Sequence, residues 1–166
     1  MAEPITNDTV DPSIPNWLLH QRTVRFGDTD AAGVMHFHQL LRWCHEAYEE
    51  SLEKFGIHPT AIFPGPTCGP PEALPIVHCR ADYWSPLVCG DSLIIELLPH
   101  RIDESRFELA YLFQRGKEYV ARGYTRHVAI DATSRKSCLV PANIERWLEA
   151  SIRNCVMHSA LSENIL

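Results

Sequence analysis

The chain has 166 residues, 45% of them hydrophobic and 22% charged, and its 15 Lys and Arg against 21 Asp and Glu leave a formal net charge of −6. That length favours one domain with a sizeable core, and the composition excludes wholesale disorder, collagen-like repeats and coiled coils. The acidic balance argues against nonspecific nucleic-acid binding, which needs a basic surface to displace counterions, so an acidic substrate would require a local basic patch.

Residues 1–16 hold three prolines, three acids and no periodic apolar pattern, which predicts a flexible leader that carries half of the net charge. The stretch begins without the basic and apolar regions of a signal peptide. No apolar run approaches the roughly 20 residues of a membrane span. Six cysteines (Cys44, Cys68, Cys79, Cys89, Cys138 and Cys155) are scattered without C-x-x-C spacing and read as reduced thiols. The expectation is a cytoplasmic protein that engages neither membrane nor nucleic acid.

From 17 to 26 the chain is strand-like, with Arg22, Val24 and Phe26 alternating against Thr23 and Arg25. The run Gly27-Asp28-Thr29-Asp30-Ala31-Ala32-Gly33 is rich in turn formers, and the chain should reverse there. Next, Leu40, Leu41, Cys44, Ala47, Tyr48, Ser51, Leu52 and Phe55 recur at three- and four-residue intervals. They mark one stripe of a helix of about five turns, closed by Gly56 and supported by a Glu50–Lys54 pair. Residues 57–71 contain five prolines and predict a loop.

Alternation returns at Val77, Cys79, Ala81 and Tyr83, then at Leu93, Ile95 and Leu97, then at Phe107, Leu109, Tyr111 and Phe113. Residues 119–131 are long enough for a central strand, in which Gly123 marks a bulge or a close backbone approach. From Pro141, the spacing of Ile144, Trp147, Leu148, Ile152 and Cys155 predicts a short amphipathic C-terminal helix. The expected class is α+β: a long helix wrapped by a five-stranded antiparallel sheet, in one domain over 17–156 with a tail at 157–166.

Chemistry concentrates just before the long helix. Its first turn offers unpaired N–H groups and a positive dipole end, which would stabilise the oxyanion developing on a carbonyl held there. A carboxylate a few residues upstream could attack that carbonyl or activate water against it. Asp28 and Asp30 both stand in that place, and either could equally be a cap or turn former; Asp28 is read as such. His36, His38 and His45, with the two aspartates, could imitate a metal site, but their spacing matches no strong ligand pattern, and no metal is expected. Cys44 next to His45 reads as a core thiol, because adjacent helical residues point about 100° apart. Tyr111, Phe113 and Trp84 read first as core aromatics and second as lining for an aromatic pocket.

The segment Phe26-Gly27-Asp28-Thr29-Asp30-Ala31-Ala32-Gly33-Val34, followed by Phe37 and the helix, resembles the hallmark of the 4-hydroxybenzoyl-CoA thioesterase branch of the hotdog-fold superfamily. Cys44-His45-Glu46-Ala47-Tyr48-Glu49, Ala73-Leu74-Pro75-Ile76-Val77-His78 and Gly90-Asp91 are similar, within that branch, to the 1,4-dihydroxy-2-naphthoyl-CoA hydrolases of cyanobacterial phylloquinone synthesis. The likeness spans roughly residues 18–135 and implies the hotdog fold, an acyl-CoA substrate, a homotetramer of two hotdog dimers, and no cofactor or metal. By position it makes Asp30 the catalytic carboxylate and the Phe37 backbone N–H the donor to the thioester carbonyl, with Gly33 letting the loop backbone approach the substrate. His36 and His45 are then candidates to hydrogen-bond an aromatic hydroxyl of the acyl group. Arg80, Arg101, Arg106 and Lys117 are solvated surface or contacts for CoA phosphates. A broader aryl- or fatty-acyl-CoA thioesterase and a non-catalytic acyl-CoA-binding domain are the alternatives; a carboxylate beside the thioester favours catalysis.

Overall fold

Period-two alternation builds one sheet, and the three-and-four spacing builds the helix that covers it. A computed structural model gives the fold and describes residues 12–66 and 68–155, so residues 1–11 of the expected leader and the expected tail lie outside the described residues. In chain order the elements are β1 (Leu19–Thr23), α1 (Phe37–Phe55), β2 (Glu72–Ala73), β3 (Ile76–Tyr83), β4 (Ser92–Arg101), β5 (Arg106–Arg115), β6 (Glu118–Val128), β7 (Ile130–Asp131) and α2 (Ala142–Cys155). Five strands form an antiparallel sheet in the order β1-β4-β5-β6-β3. The architecture is α+β, as expected; β6, from the 119–131 segment, is an interior strand between β5 and β3, and β5 is the middle strand. That segment breaks after Val128, and β7 leaves to pair with β2 in a separate two-stranded sheet.

One face of the sheet carries the fully buried Leu93, Ile95, Leu97, Phe107, Leu109, Tyr111 and Phe113. Against it lies the α1 stripe of Leu40, Cys44, Ala47, Tyr48 and Leu52, also buried. Gly123 on β6 resolves as a close approach: a Cβ there would stand 2.2 Å from Cys44 Sγ. The register irregularities fall elsewhere, between Ile76 and His78 and between Phe113 and Gln114. The helix ends at Gly56, whose φ of 99° suits a residue without Cβ. The second helix closes the far end, where Trp147 Nε1 donates to Ser51 Oγ at 3.1 Å and Trp17 Nε1 donates to Ser151 Oγ at 3.1 Å.

Two local expectations need correction. The first strand stops at Thr23, and Phe26 sits in a 3-10 turn with 85% of its surface exposed, because the chain must already be turning toward α1. Glu50 reaches across to β1, where it binds Arg22 and His20, while the Lys54 ammonium donates to the Leu19 carbonyl at 2.8 Å. Neighbours on another element thus replace the expected pair along the helix. Among the described residues, no helix is long and apolar enough to cross a membrane.

Candidate active site

Between β1 and α1 the chain first makes a 3-10 turn over Phe26–Asp28. Asp28 fastens it: its carboxylate accepts the Arg25 N–H at 2.8 Å and the Gln39 side-chain amide at 2.9 Å. Its carbonyl accepts the His36 N–H at 2.8 Å. Asp28 therefore fastens the turn, as expected of a turn former, while the N-cap of α1 is His36. A tight hairpin follows, in which Asp30 N–H donates to the Val34 carbonyl at 2.9 Å and Gly33 N–H donates to the Asp30 carbonyl at 3.0 Å. Gly33 takes a φ of 78°, which a side chain would make costly, and so lets the chain return within three residues. The Met35 N–H anchors the return strand to the Leu87 carbonyl at 2.7 Å.

The Asp30 carboxylate stands exposed on this hairpin and accepts the Ala32 N–H at 2.8 Å. It borders a groove of about 440 Å³ whose walls are otherwise mostly apolar, formed by Val34, Phe37, Tyr83, Trp84 and Leu87 among others. Phe37 occupies the first helical position, where an N–H has no acceptor within the helix. Phe37 is 70% exposed and lines the groove, and its carbonyl accepts the Tyr83 hydroxyl. One open apolar cleft thus brings together a carboxylate, a helix N-terminus and three aromatic rings. That arrangement can hold a flat acyl group, polarise its carbonyl and deliver a nucleophile.

Of the residues singled out from sequence, Asp30 and Phe37 meet at this groove, and Gly33 shapes the hairpin beside it. His36 is the N-cap of α1, its Nδ1 accepting the His38 N–H at 3.5 Å, and the two imidazoles touch. His45, two turns further along α1, pairs with Glu49 and packs its ring 6.2 Å from that of Phe63, outside the groove lining. Among the described residues, no group of three His, Cys, Asp or Glu stands placed to hold a metal ion. Cys44 is fully buried, and that burial pushes its thiol strongly toward the protonated form, as a core thiol requires.

Arg80 pairs with Asp82 at 2.9 Å, Arg106 with Asp103, and Arg101 with Glu145, so three of the four basic residues already have acidic partners. Trp84, read first as core and second as pocket lining, is 43% exposed and lines the groove. Tyr83 and Gln39 were not anticipated. The sequence signal for Tyr83 and Trp84 is that they end a strand just before Pro86, where a chain leaves its sheet and side chains come free. Gln39 carries no signal beyond a polar residue next to the apolar stripe.

Comparison with known proteins places this geometry. The family model for the thioesterase-like superfamily matches residues 24–148. A 1,4-dihydroxy-2-naphthoyl-CoA hydrolase of Prochlorococcus marinus strain MIT 9303 is 53% identical over 139 residues, covering 82% of this chain and 92% of that one. The solved structure of a candidate thioesterase from P. marinus MIT 9313 is 52% identical, with a TM-score of 0.80 over 82% of this chain and 96% of the other. A 1,4-dihydroxy-2-naphthoyl-CoA thioesterase from Synechocystis is 31% identical, with a TM-score of 0.70 over 79% of this chain and 94% of its own. The chain belongs to the thioesterase-like superfamily, in the hotdog-fold group that contains the 1,4-dihydroxy-2-naphthoyl-CoA hydrolases.

Proposed function

We propose that the protein hydrolyses 1,4-dihydroxy-2-naphthoyl-CoA to 1,4-dihydroxy-2-naphthoate and CoA, a step of phylloquinone synthesis, with Asp30 as the catalytic carboxylate. The observation that carries this reading is that Asp30 and the first residue of α1 border the same aromatic groove. The thioester carbonyl oxygen would take the Phe37 N–H, and the positive end of the helix dipole would stabilise the oxyanion as the tetrahedral centre forms. Asp30 then either attacks the carbonyl carbon, giving a mixed anhydride that water hydrolyses, or draws a proton from an attacking water; on both routes the C–S bond breaks and the CoA sulfur leaves as thiolate. The bicyclic acyl group fits between the rings of Phe37, Tyr83 and Trp84. Thioester hydrolysis on this plan calls for neither metal nor cofactor. His36 serves as the helix cap, while His45 has no place in the reading because it pairs with Glu49.

We also read the assembly as a homotetramer of paired hotdog dimers. Support comes from β3, a terminal strand of the sheet that leaves Ile76 and Val77 exposed and one row of backbone groups open to another strand. Sedimentation equilibrium should give four chains, and a monomer at micromolar concentration would reject the assignment. A cytoplasmic location is supported by the free thiols of Cys44, Cys68, Cys79, Cys89 and Cys138.

The decisive test is thiol release from naphthoyl-, benzoyl- and palmitoyl-CoA by the native chain, Asp30→Asn and Asp30→Ala. The dihydroxynaphthoyl thioester should give the highest kcat/KM, and both variants should lose turnover while keeping the native circular dichroism spectrum and melting curve. Near-native rates in Asp30→Asn would remove Asp30 from the mechanism. Binding without thiol release by the native chain would make it a binding domain, and a preference for palmitoyl-CoA would make it a broader thioesterase.

A further inference from the structure

We propose that Asp28 and Gln39 act as a positioning pair that holds the Asp30 carboxylate and the Phe37 N–H in register across the groove. The inference rests on the roles given above to Asp30 and Phe37. Asp28 lies two residues before Asp30, and Gln39 lies two residues after Phe37. The Gln39 amide donates to Asp28 Oδ1 at 2.9 Å, so one side-chain bond joins the segment carrying the carboxylate to the segment carrying the oxyanion donor. A second link runs parallel to it, from the His36 N–H to the Asp28 carbonyl at 2.8 Å. The other carboxylate oxygen of Asp28 takes the Arg25 N–H at 2.8 Å, while the Asp28 N–H donates to the Arg25 carbonyl at 2.9 Å. Four hydrogen bonds therefore fix Asp28 on both sides.

Gln39 is only 4% exposed, so its amide cannot turn to water if Asp28 is lost. A buried donor without an acceptor is costly, and the segment would shift to relieve it. Because reacting groups must sit within a fraction of an ångström of one another, a displacement near 1 Å at this point costs on the order of 100-fold in rate. An ordinary helix cap would instead register in stability alone.

The pair can be tested through substitutions that separate charge from geometry. In Asp28→Asn, the new amide keeps an oxygen for the Arg25 N–H and offers its NH2 to Gln39, whose own amide can turn over to accept it. That variant should keep kcat within about 3-fold of native. Asp28→Ala should lower kcat by about 10- to 100-fold while KM stays within about 3-fold. Gln39→Glu sets two carboxylates at hydrogen-bond distance, which one shared proton would relieve. Its kcat relative to native should therefore rise as pH falls from 8 to 6.

Native turnover with an unaltered rate in Asp28→Ala would overturn the proposal, and so would an Asp28→Asn variant as inactive as Asp30→Asn, since charge rather than placement would then matter. Should Asp28→Ala fail to melt cooperatively, Gln39→Glu decides the question: a pH profile parallel to native refutes the pair. A native chain that releases no thiol at all refutes the thioesterase reading instead, which keeps the two failures apart.

Discussion

Replacing Gly123 by Ala should loosen the seam between sheet and long helix, by an amount that the structure lets one work out. The added methyl would lie 2.2 Å from Cys44 Sγ, 3.4 Å from Leu40 Cδ2 and 3.5 Å from Tyr111 Cβ. The last two are tolerable contacts, so the conflict is with one sulfur atom, which must retreat by roughly 1.4 Å to reach an ordinary separation of about 3.6 Å. Cys44 is fully buried and cannot swing away freely, so α1 itself must lift from β6 or a rotamer must strain. Overpacking of this kind costs about 1–3 kcal/mol, or about 2–12 °C in Tm for a chain of this size.

Cys44→Ala alone removes a single buried atom and should cost about 1 kcal/mol. In the double variant the new methyl occupies the space that the sulfur vacates, so its stability should resemble that of Cys44→Ala rather than the sum of the two losses. Urea unfolding followed by tryptophan fluorescence measures the cycle, with an expected coupling of about 1–3 kcal/mol in the favourable direction. Because lifting α1 also moves Phe37, thiol release should fall in Gly123→Ala and recover in the double variant. Additive losses would refute the claim that this one contact sets the distance between helix and sheet.

Burial lowers the His127 imidazole from 6.5 to about 4, where it stacks on Phe107 and bonds Thr125. The folded state stays neutral while the unfolded chain takes up a proton, so stability is complete above pH 6.5 and falls by roughly 3 kcal/mol as pH drops toward 4. Urea titrations of native protein and His127→Gln should differ in slope between pH 6.5 and 4.5, and equal slopes would reject His127 as the source. Trp84→Ala should lower kcat/KM for the naphthoyl thioester by about 3- to 10-fold through loss of one aromatic contact, with a smaller effect on benzoyl-CoA. Equal losses on both substrates in steady-state assays would show that Trp84 does not read the second ring.

Local rules account for most of the scaffold. The stripe from Leu40 to Phe55 and the Gly56 terminator marked α1, and clean alternation marked β4 and β5, because each signal depends only on residues a few positions apart. The start of α1 at Phe37 escaped that reading: His36, Phe37 and His38 add nothing to an apolar stripe, and the helix begins there through a side-chain cap. Glu50 escaped it as well, since its choice of Arg22 over Lys54 depends on β1 arriving alongside. The same limit explains Trp84. An aromatic at a strand end is core or rim according to what lies over it, and that is decided by the hairpin of residues 29–35 anchored at Leu87. Asp30 was singled out only through its motif, because a carboxylate before a helix more often fastens a cap or turn, and Asp28 in fact fastens the turn.

Within the D-x-D loop, the proposed catalytic carboxylate of Asp30 has a separate anchor in Asp28. Two functions are needed at the mouth of α1, a fixed anchor and a free oxygen, and one residue cannot provide both. Asp28 has both carboxylate oxygens engaged and is half-buried; Asp30 gives one oxygen to the Ala32 N–H and faces the groove. Asp28 closes the 3-10 turn and Asp30 opens the hairpin, with an extended Thr29 between them, so the first carboxylate is held by Gln39 of α1 while the second borders the cleft. The rigid layer beneath, from Gly123 against Cys44 to Tyr48 against Trp147, gives that loop a helix start that does not drift. Stability is thus concentrated beneath the start of α1, which carries the proposed oxyanion donor, and exposure is concentrated on the hairpin and the aromatic rim that border the groove.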